Sequence, residues 1–299
     1  MYEANSQKED QFWLNIGLMI LIAGLFVAGL YYYQEKQLTE MKEEIENLEA
    51  QLTNSEDHST SNNPAGNSTD SEISQEEIIT SGPRDLPRIA LTFDADMSSG
   101  MKKQEVRWYD PKIIEILKEE QIPATFFLTG MWAETYPEVT KQLANNGLFE
   151  IENHSYQTKS FSQPCYGLTP LSSKEEKVEV IQKAQQTIKE ITNTTPNYFR
   201  FPGGCYQEQD LQLVNESGLR AVQWDVVSGD AFANNASSIV NKTLSNTRNG
   251  SIIVFHLGGP NAPHTAQAIK EIIPKLEEEG FKFVTLQSLL DPPSVSPVR

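Results

Sequence analysis

Basic charge, cysteine and histidine are all scarce in this chain. Its 299 residues include 24 Lys and Arg against 41 Asp and Glu, a formal net charge of −17, with two cysteines and four histidines. So few cations leave no Lys/Arg stripe to replace phosphate counterions, which argues against nucleic acid as a partner. The acidity is unevenly spread: residues 1–82 carry 15 acidic and 3 basic side chains, the remainder 26 and 21. It therefore says little about any site in the larger part. No G-x-G-x-x-G or Walker-type glycine loop follows the first strand-like run, which argues against dinucleotide and nucleotide binding. The two cysteines, Cys165 and Cys205, leave a choice between one bridge and two buried thiols, and a bridge requires an oxidising compartment.

Long apolar runs are also rare, with one conspicuous case. Residues 12–33, FWLNIGLMILIAGLFVAGLYYY, carry no charge and are long enough to cross a bilayer as a helix. Trp13 and Tyr31–Tyr33 stand at its ends, where aromatic rings favour the membrane interface. With no A-x-A site behind it, the run predicts an uncleaved anchor in preference to a signal peptide. Residues 1–11 are then a short tail. Leu38, Met41, Ile45, Leu48 and Leu52 follow at alternating spacings of three and four. This predicts a helical stalk over 34–53, with a homodimer through 38–52 as the sharper expectation. Residues 54–85 are rich in Ser, Asn, Thr and Glu and read as a flexible spacer.

From residue 86 to 290 short apolar runs alternate with helical periodicity, ahead of a tail over 291–299. RIALTF (88–93), ATFFLTG (124–130), LFEIEN (148–153), NYFRF (197–201), RAVQWDV (220–226), SIIVFHL (251–257) and FKFVTL (281–286) read as strands. Val178, Ile181, Ala184, Ile188 and Ile191 form one helical stripe, and Ile269, Ile272, Ile273 and Leu276 another. Gly147, Gly218 and Gly280 fall at expected helix ends. Strands alternating with helices imply an α/β fold with a parallel sheet, either a barrel or an open doubly wound sheet.

Ionisable residues recur at the strand ends. Asp94 and Asp96 follow the first strand, His154 the third and His256 the sixth; Arg200 lies in the fourth, and Asp225 and Asp230 are read at the end of the fifth. In a barrel all such ends meet on one face. A carboxylate and an imidazole can there share a divalent metal, a second carboxylate can act as base and a second imidazole as acid. That inventory suits hydrolysis of an amide or ester.

TFDAD (92–96), NHSYQT (153–158), RFPGG (200–204), WDVVSGD (224–230) and VFHLGG (254–259) resemble, in order and spacing, the motifs of the polysaccharide deacetylases, the NodB-homology enzymes of carbohydrate esterase family 4. The resemblance covers 86–290. It implies a distorted (β/α)7–8 barrel and metal-dependent removal of N-acetyl groups from GlcNAc-containing polysaccharide: peptidoglycan, a chitin-like polymer or poly-GlcNAc. By this resemblance Asp94 is the base, Arg200 its tether, His256 the acid and Asp230 the residue that tunes it. Asp96 and His154 would hold the metal, zinc first, with cobalt, manganese or nickel as substitutes. Pro202, Tyr206, Trp224 and Leu257 would shape the sugar pocket. With residues 12–33 read as a single-pass anchor, the resemblance implies a cytoplasmic N-terminus and an extracytoplasmic domain.

The sequence departs from the family pattern in three places. Ala95 separates two aspartates that are usually adjacent. Ala231 stands where an aromatic residue is usual, with Phe232 one place later. Thr158 stands where the second metal-binding imidazole of H-x-x-x-H belongs, and a hydroxyl is a far poorer zinc ligand. His264 is a candidate substitute donor. Two alternative readings follow: a glycan-binding domain without turnover, resting on Thr158, and a muramic acid deacetylase or O-acetyl esterase.

Overall fold

A computed structural model of the chain describes residues 77–291. The predicted anchor (12–33), stalk and dimer seam (34–53) and most of the spacer lie outside the described residues. Among the described residues no helix is long and apolar enough to cross a membrane.

The described part is built on β1 (Arg88–Ala95), β2 (Ala124–Leu128), β3 (Phe149–Asn153), β4 (Tyr198–Phe199), β5 (Arg220–Ala221), β6 (Val226–Val227), β7 (Ile252–His256) and β8 (Lys282–Phe283). Every pairing among these strands is parallel, in the order β5-β4-β3-β2-β1-β7-β6, with β8 also pairing β1. The two ends of that path, β5 and β6, are consecutive in sequence. The sheet therefore curls into an incomplete barrel whose seam is crossed by residues 222–225. The single strand expected over 220–226 is thus two short ones, because each half pairs with a different neighbour.

Alternation along the strands separates two cores. Ile89, Leu91, Phe93, Phe126, Ile253 and Phe255 face the main apolar layer shared with the surrounding helices. Ala90, Phe127, Tyr198, Val222 and Ile252 form the interior, closed at the strand N-termini by Leu286 and Leu289 of the helix Leu286–Leu290. That helix is fixed by Leu286 N–H to Thr125 Oγ1 (2.9 Å) and Gln287 N–H to Glu150 Oε2 (3.1 Å). Helices begin where a polar side chain can accept from the first turn, as at Asp110, Ser173 and Asn235. Gly218 and Gly280 take left-handed φ of +76° and +90° after their helices, while Gly147 does not.

Residues 77–85, read from sequence as spacer, are tied to the barrel. Ile79 pairs with Val222 and Ser81 with Ser251, and Arg84 bonds Asp225 at 2.8 Å. Ile79 lies along the seam, accepting from Gln223 N–H and donating to Ala221. The domain therefore starts earlier than residue 86. Its pairing partners sit more than a hundred residues downstream, which local composition cannot reveal.

Candidate active site

Register brings the polar residues level. Asp94 on β1 stands opposite His256 on β7 and Phe127 on β2, and Asn153 on β3 stands opposite Leu128 on β2 and Phe199 on β4. One step beyond those strand ends lie His154 and Arg200, so the inward-facing carboxylates and imidazoles share one rim. They line a single cleft of about 160 Å³ with Asp94, Asp96, His154, Thr158, Asp230 and His256 in its wall.

Two pairs are tightly built. Arg200, wholly buried, donates from Nη1 to Asp94 Oδ1 (2.8 Å) and to Thr92 Oγ1 (2.8 Å), and from Nη2 to the Gln223 carbonyl (3.1 Å). Its guanidinium also lies 3.9 Å from the Phe127 ring centre. Burial lowers the Arg200 pKa, and the Asp94 carboxylate works against that fall. Across the rim, His256 Nδ1 lies 2.8 Å from Asp230 Oδ1, while its backbone N–H donates to Asp230 Oδ2 (2.7 Å). Thr265 Oγ1 donates to the same oxygen at 2.7 Å. Burial alone would lower the His256 pKa; the Asp230, Asp96 and Asp94 carboxylates outweigh it and push it up to about 10. Burial raises and the His256 charge lowers Asp230, and the lowering prevails. At neutral pH the pair is an imidazolium on a carboxylate.

The third group is looser. His154 is buried, with Nδ1 at 2.9 Å from the Arg200 carbonyl, which fixes Nδ1 as the protonated nitrogen and turns Nε2 into the cleft. Nε2 lies 3.6 Å from Asp96 Oδ1 and 3.8 Å from Asp94 Oδ2, too far for hydrogen bonds. Thr158 Oγ1 donates to Asp96 Oδ1 at 2.8 Å. Burial raises the Asp96 pKa, but His154, His256 and Thr158 bring it down to about 2, so the carboxylate is ionised. Burial lowers that of His154, and the Asp94 and Asp96 carboxylates reverse the effect, leaving it raised.

Among the described residues no group of three or more His, Cys, Asp or Glu side chains is arranged to hold a metal. The reason is local: the third position is the Thr158 hydroxyl, already committed to Asp96. The Asp96 and His154 donors nevertheless face one space at 3.6 Å, near what two ligands about 2.0–2.2 Å from one ion can span. The set fits a divalent ion held by two side chains and water, not a closed three-side-chain centre.

Other expected residues are placed elsewhere. Asp225 sits immediately before β6, accepting from Ile252 N–H (2.8 Å) and ion-paired with Arg84, away from the rim. His264 precedes the helix Thr265–Glu278 and does not line the cleft. Of the four sugar-pocket candidates, only Trp224 lines it. Leu257 is buried in the main core, Pro202 is buried, and Tyr206 stacks on Phe201 at 4.9 Å. Thr92 and Thr265 were not singled out by sequence. Thr92 is two residues before Asp94 on the same strand face, a spacing that could have found it. Nothing local marks Thr265.

Comparison with known proteins identifies the relatives of this chain. A family model described as polysaccharide deacetylase matches residues 81–222. A peptidoglycan-N-acetylglucosamine deacetylase of Bacillus cereus is 33% identical over 210 residues, 70% of this chain and 70% of that one. The solved Bc1960 peptidoglycan N-acetylglucosamine deacetylase is 31% identical with a TM-score of 0.62, covering 73% of this chain and 95% of that one. A carbohydrate esterase family 4 pseudoenzyme from Bacillus anthracis shares the fold at 23% identity and a TM-score of 0.62, over 74% of this chain and 71% of that one. The chain belongs to the polysaccharide deacetylase family.

Proposed function

We propose that the domain hydrolyses the acetamide of N-acetylglucosamine residues in a glycan of the peptidoglycan or chito-oligosaccharide kind. Asp94, held by Arg200, takes a proton from the attacking water. His256, kept protonated by Asp230, gives a proton to the leaving nitrogen as the C–N bond breaks, yielding acetate and a free amine. Asp96 and His154 are the residues that would hold a divalent ion, which when bound polarises the acetyl carbonyl and makes water more acidic. The observation that carries the reading is the doubled support of the two proton carriers: each has its own buried, oppositely charged partner at 2.8 Å.

One observation favours a second reading. Thr158 in place of a metal imidazole supports a domain that binds glycan without cutting it. The discriminating experiment supplies the full chain with zinc, cobalt or manganese and follows acetate release from N-acetylchito-oligomers, defined muropeptides and acetylated xylan. Release from the amide substrates supports deacetylation, and preference for xylan indicates an ester hydrolase. Binding without release under every metal supports the second reading.

Placement in the cell is part of the proposal. The uncharged run 12–33 supports a single membrane anchor, the Cys165–Cys205 bond supports an oxidising compartment for the domain, and the heptad spacing over 38–52 supports a tethered dimer. Protease protection in sealed vesicles tests the first, and crosslinking in the membrane the second.

A further inference from the structure

The most exposed large apolar side chains of the described domain stand at the mouth of the cleft. Tyr166 is 72% exposed and Phe232 73%, yet their ring centres are only 5.6 Å apart. Both line the same cleft as Asp94 and His256, and so does half-exposed Val227. Scattered exposed hydrophobics need no explanation, but a contiguous patch beside polar groups marks a ligand surface.

Tyr166 is held there at some cost. Its φ of +46° is in the left-handed region, which non-glycine residues seldom occupy, and Gly167 follows at +73°. Its neighbour Cys165 is bonded to Cys205 across 40 residues, so of the two sequence alternatives the bridge is the one formed. The loop is braced further where Ser160 N–H donates to the Thr169 carbonyl and Leu171 N–H to the Ser160 carbonyl. Phe232 comes from the opposite side, in the short turn Asp230–Phe232 that also supplies the partner of His256. Two loops distant in sequence thus deliver one ring each to the same point.

We propose that Tyr166 is a glycan-binding residue: with Phe232 it grips the apolar face of a hexosamine ring at the cleft mouth, and the Cys165–Cys205 bond holds it in position. A β-linked N-acetylglucosamine ring in the chair form presents the axial C–H groups of C1, C3 and C5 on one face while its hydroxyls point outward around the rim, and an aromatic surface covers that face without competing for them. The proposal rests on the glycan reading of the site but not on turnover. Neither the family resemblance nor the catalytic arrangement assigns a role to Tyr166.

The test uses the full chain and N-acetylchitotetraose as probe. Affinity is measured by calorimetry in an Asp94→Asn background, and KM and kcat by acetate release in the parent. Tyr166→Ala is expected to raise Kd and KM about tenfold while kcat stays within about twofold. Tyr166→Phe is expected to match the parent, since the ring and not the hydroxyl does the gripping, and Phe232→Ala to resemble Tyr166→Ala. Dithiothreitol is expected to raise KM in the parent and to add nothing in Tyr166→Ala. Circular dichroism checks that each variant is folded. Unchanged Kd in folded Tyr166→Ala, a loss confined to kcat, or Tyr166→Phe as weak as Tyr166→Ala would each overturn the proposal. If the parent binds tetraose with the stated variant pattern but releases no acetate, the hydrolase reading fails and this one stands. If it releases acetate and Tyr166→Ala is normal, the reverse holds. A parent that neither binds nor cuts overturns both.

Discussion

On one side of the rim Asp94 and His256, opposite each other on β1 and β7, each lean on a second buried charge; on the other, His154 after β3 and Asp96 after β1 are held by a carbonyl and a hydroxyl. Both sides lie in one cleft and grew from the same parallel register. The difference lies in what an empty space between donors costs. Arg200 and Asp230 would be uncompensated buried charges without their partners, so those pairs are geometrically committed. Asp96 and His154 have no hydrogen bond to each other, and Thr158 takes up the slack at Asp96. On the proposed roles, the proton carriers can therefore stay complete while the ion-binding pair loosens.

The largest effect expected falls on the committed side. Asp94→Asn or His256→Gln should lower acetate release by about 10²–10⁴-fold, the usual worth of a positioned base or acid. A loss no larger than that of an exposed control substitution would break the comparison. Arg200→Met should destabilise the fold by about 3–5 kcal/mol in urea unfolding, because it leaves the Asp94 carboxylate buried and unpaired.

On the loose side, Thr158→His should tighten zinc binding at least about tenfold in calorimetry, since it restores an imidazole in place of a hydroxyl. Unaltered affinity would show that residue 158 does not face the ion. A smaller effect concerns pH. The His256 pKa stands at about 10 because of Asp230, so Asp230→Asn should move the alkaline limb of kcat/KM down toward the ordinary imidazole value of 6.5. The raised value also means that the pair's stabilisation is complete below about pH 6.5 and fades as pH climbs through about 10. The stability gap between parent and His256→Gln should shrink over that range.

Much of this is legible in the sequence. Strand alternation and strand-end chemistry placed Asp94, Asp96, His154, Arg200, Asp230 and His256 together, because a parallel barrel sends every C-terminal end to one face. What failed depended on pairing between distant segments. Asp225 sits between two apolar residues and reads as part of a strand's end; it leads into β6 instead, because hydrogen bonding with β7 resumes there after the seam. Residues 77–85 look like spacer until Ile79 finds Val222. Leu257, next to His256, is buried in the main core and Tyr206 lies half-buried against Phe201, since adjacency in sequence does not fix which face a side chain takes. Tyr166 carried only the hint of a neighbouring cysteine.

Acetate release from N-acetylchito-oligomers against free metal concentration, in the parent and in Asp94→Asn, tests the central claim most directly. Complete proton carriers beside a two-ligand ion site predict activity that saturates at high metal in the parent and is nearly abolished at every concentration in Asp94→Asn. A parent that stays inactive with metal measurably bound, or an Asp94→Asn curve that overlays it, would contradict the account.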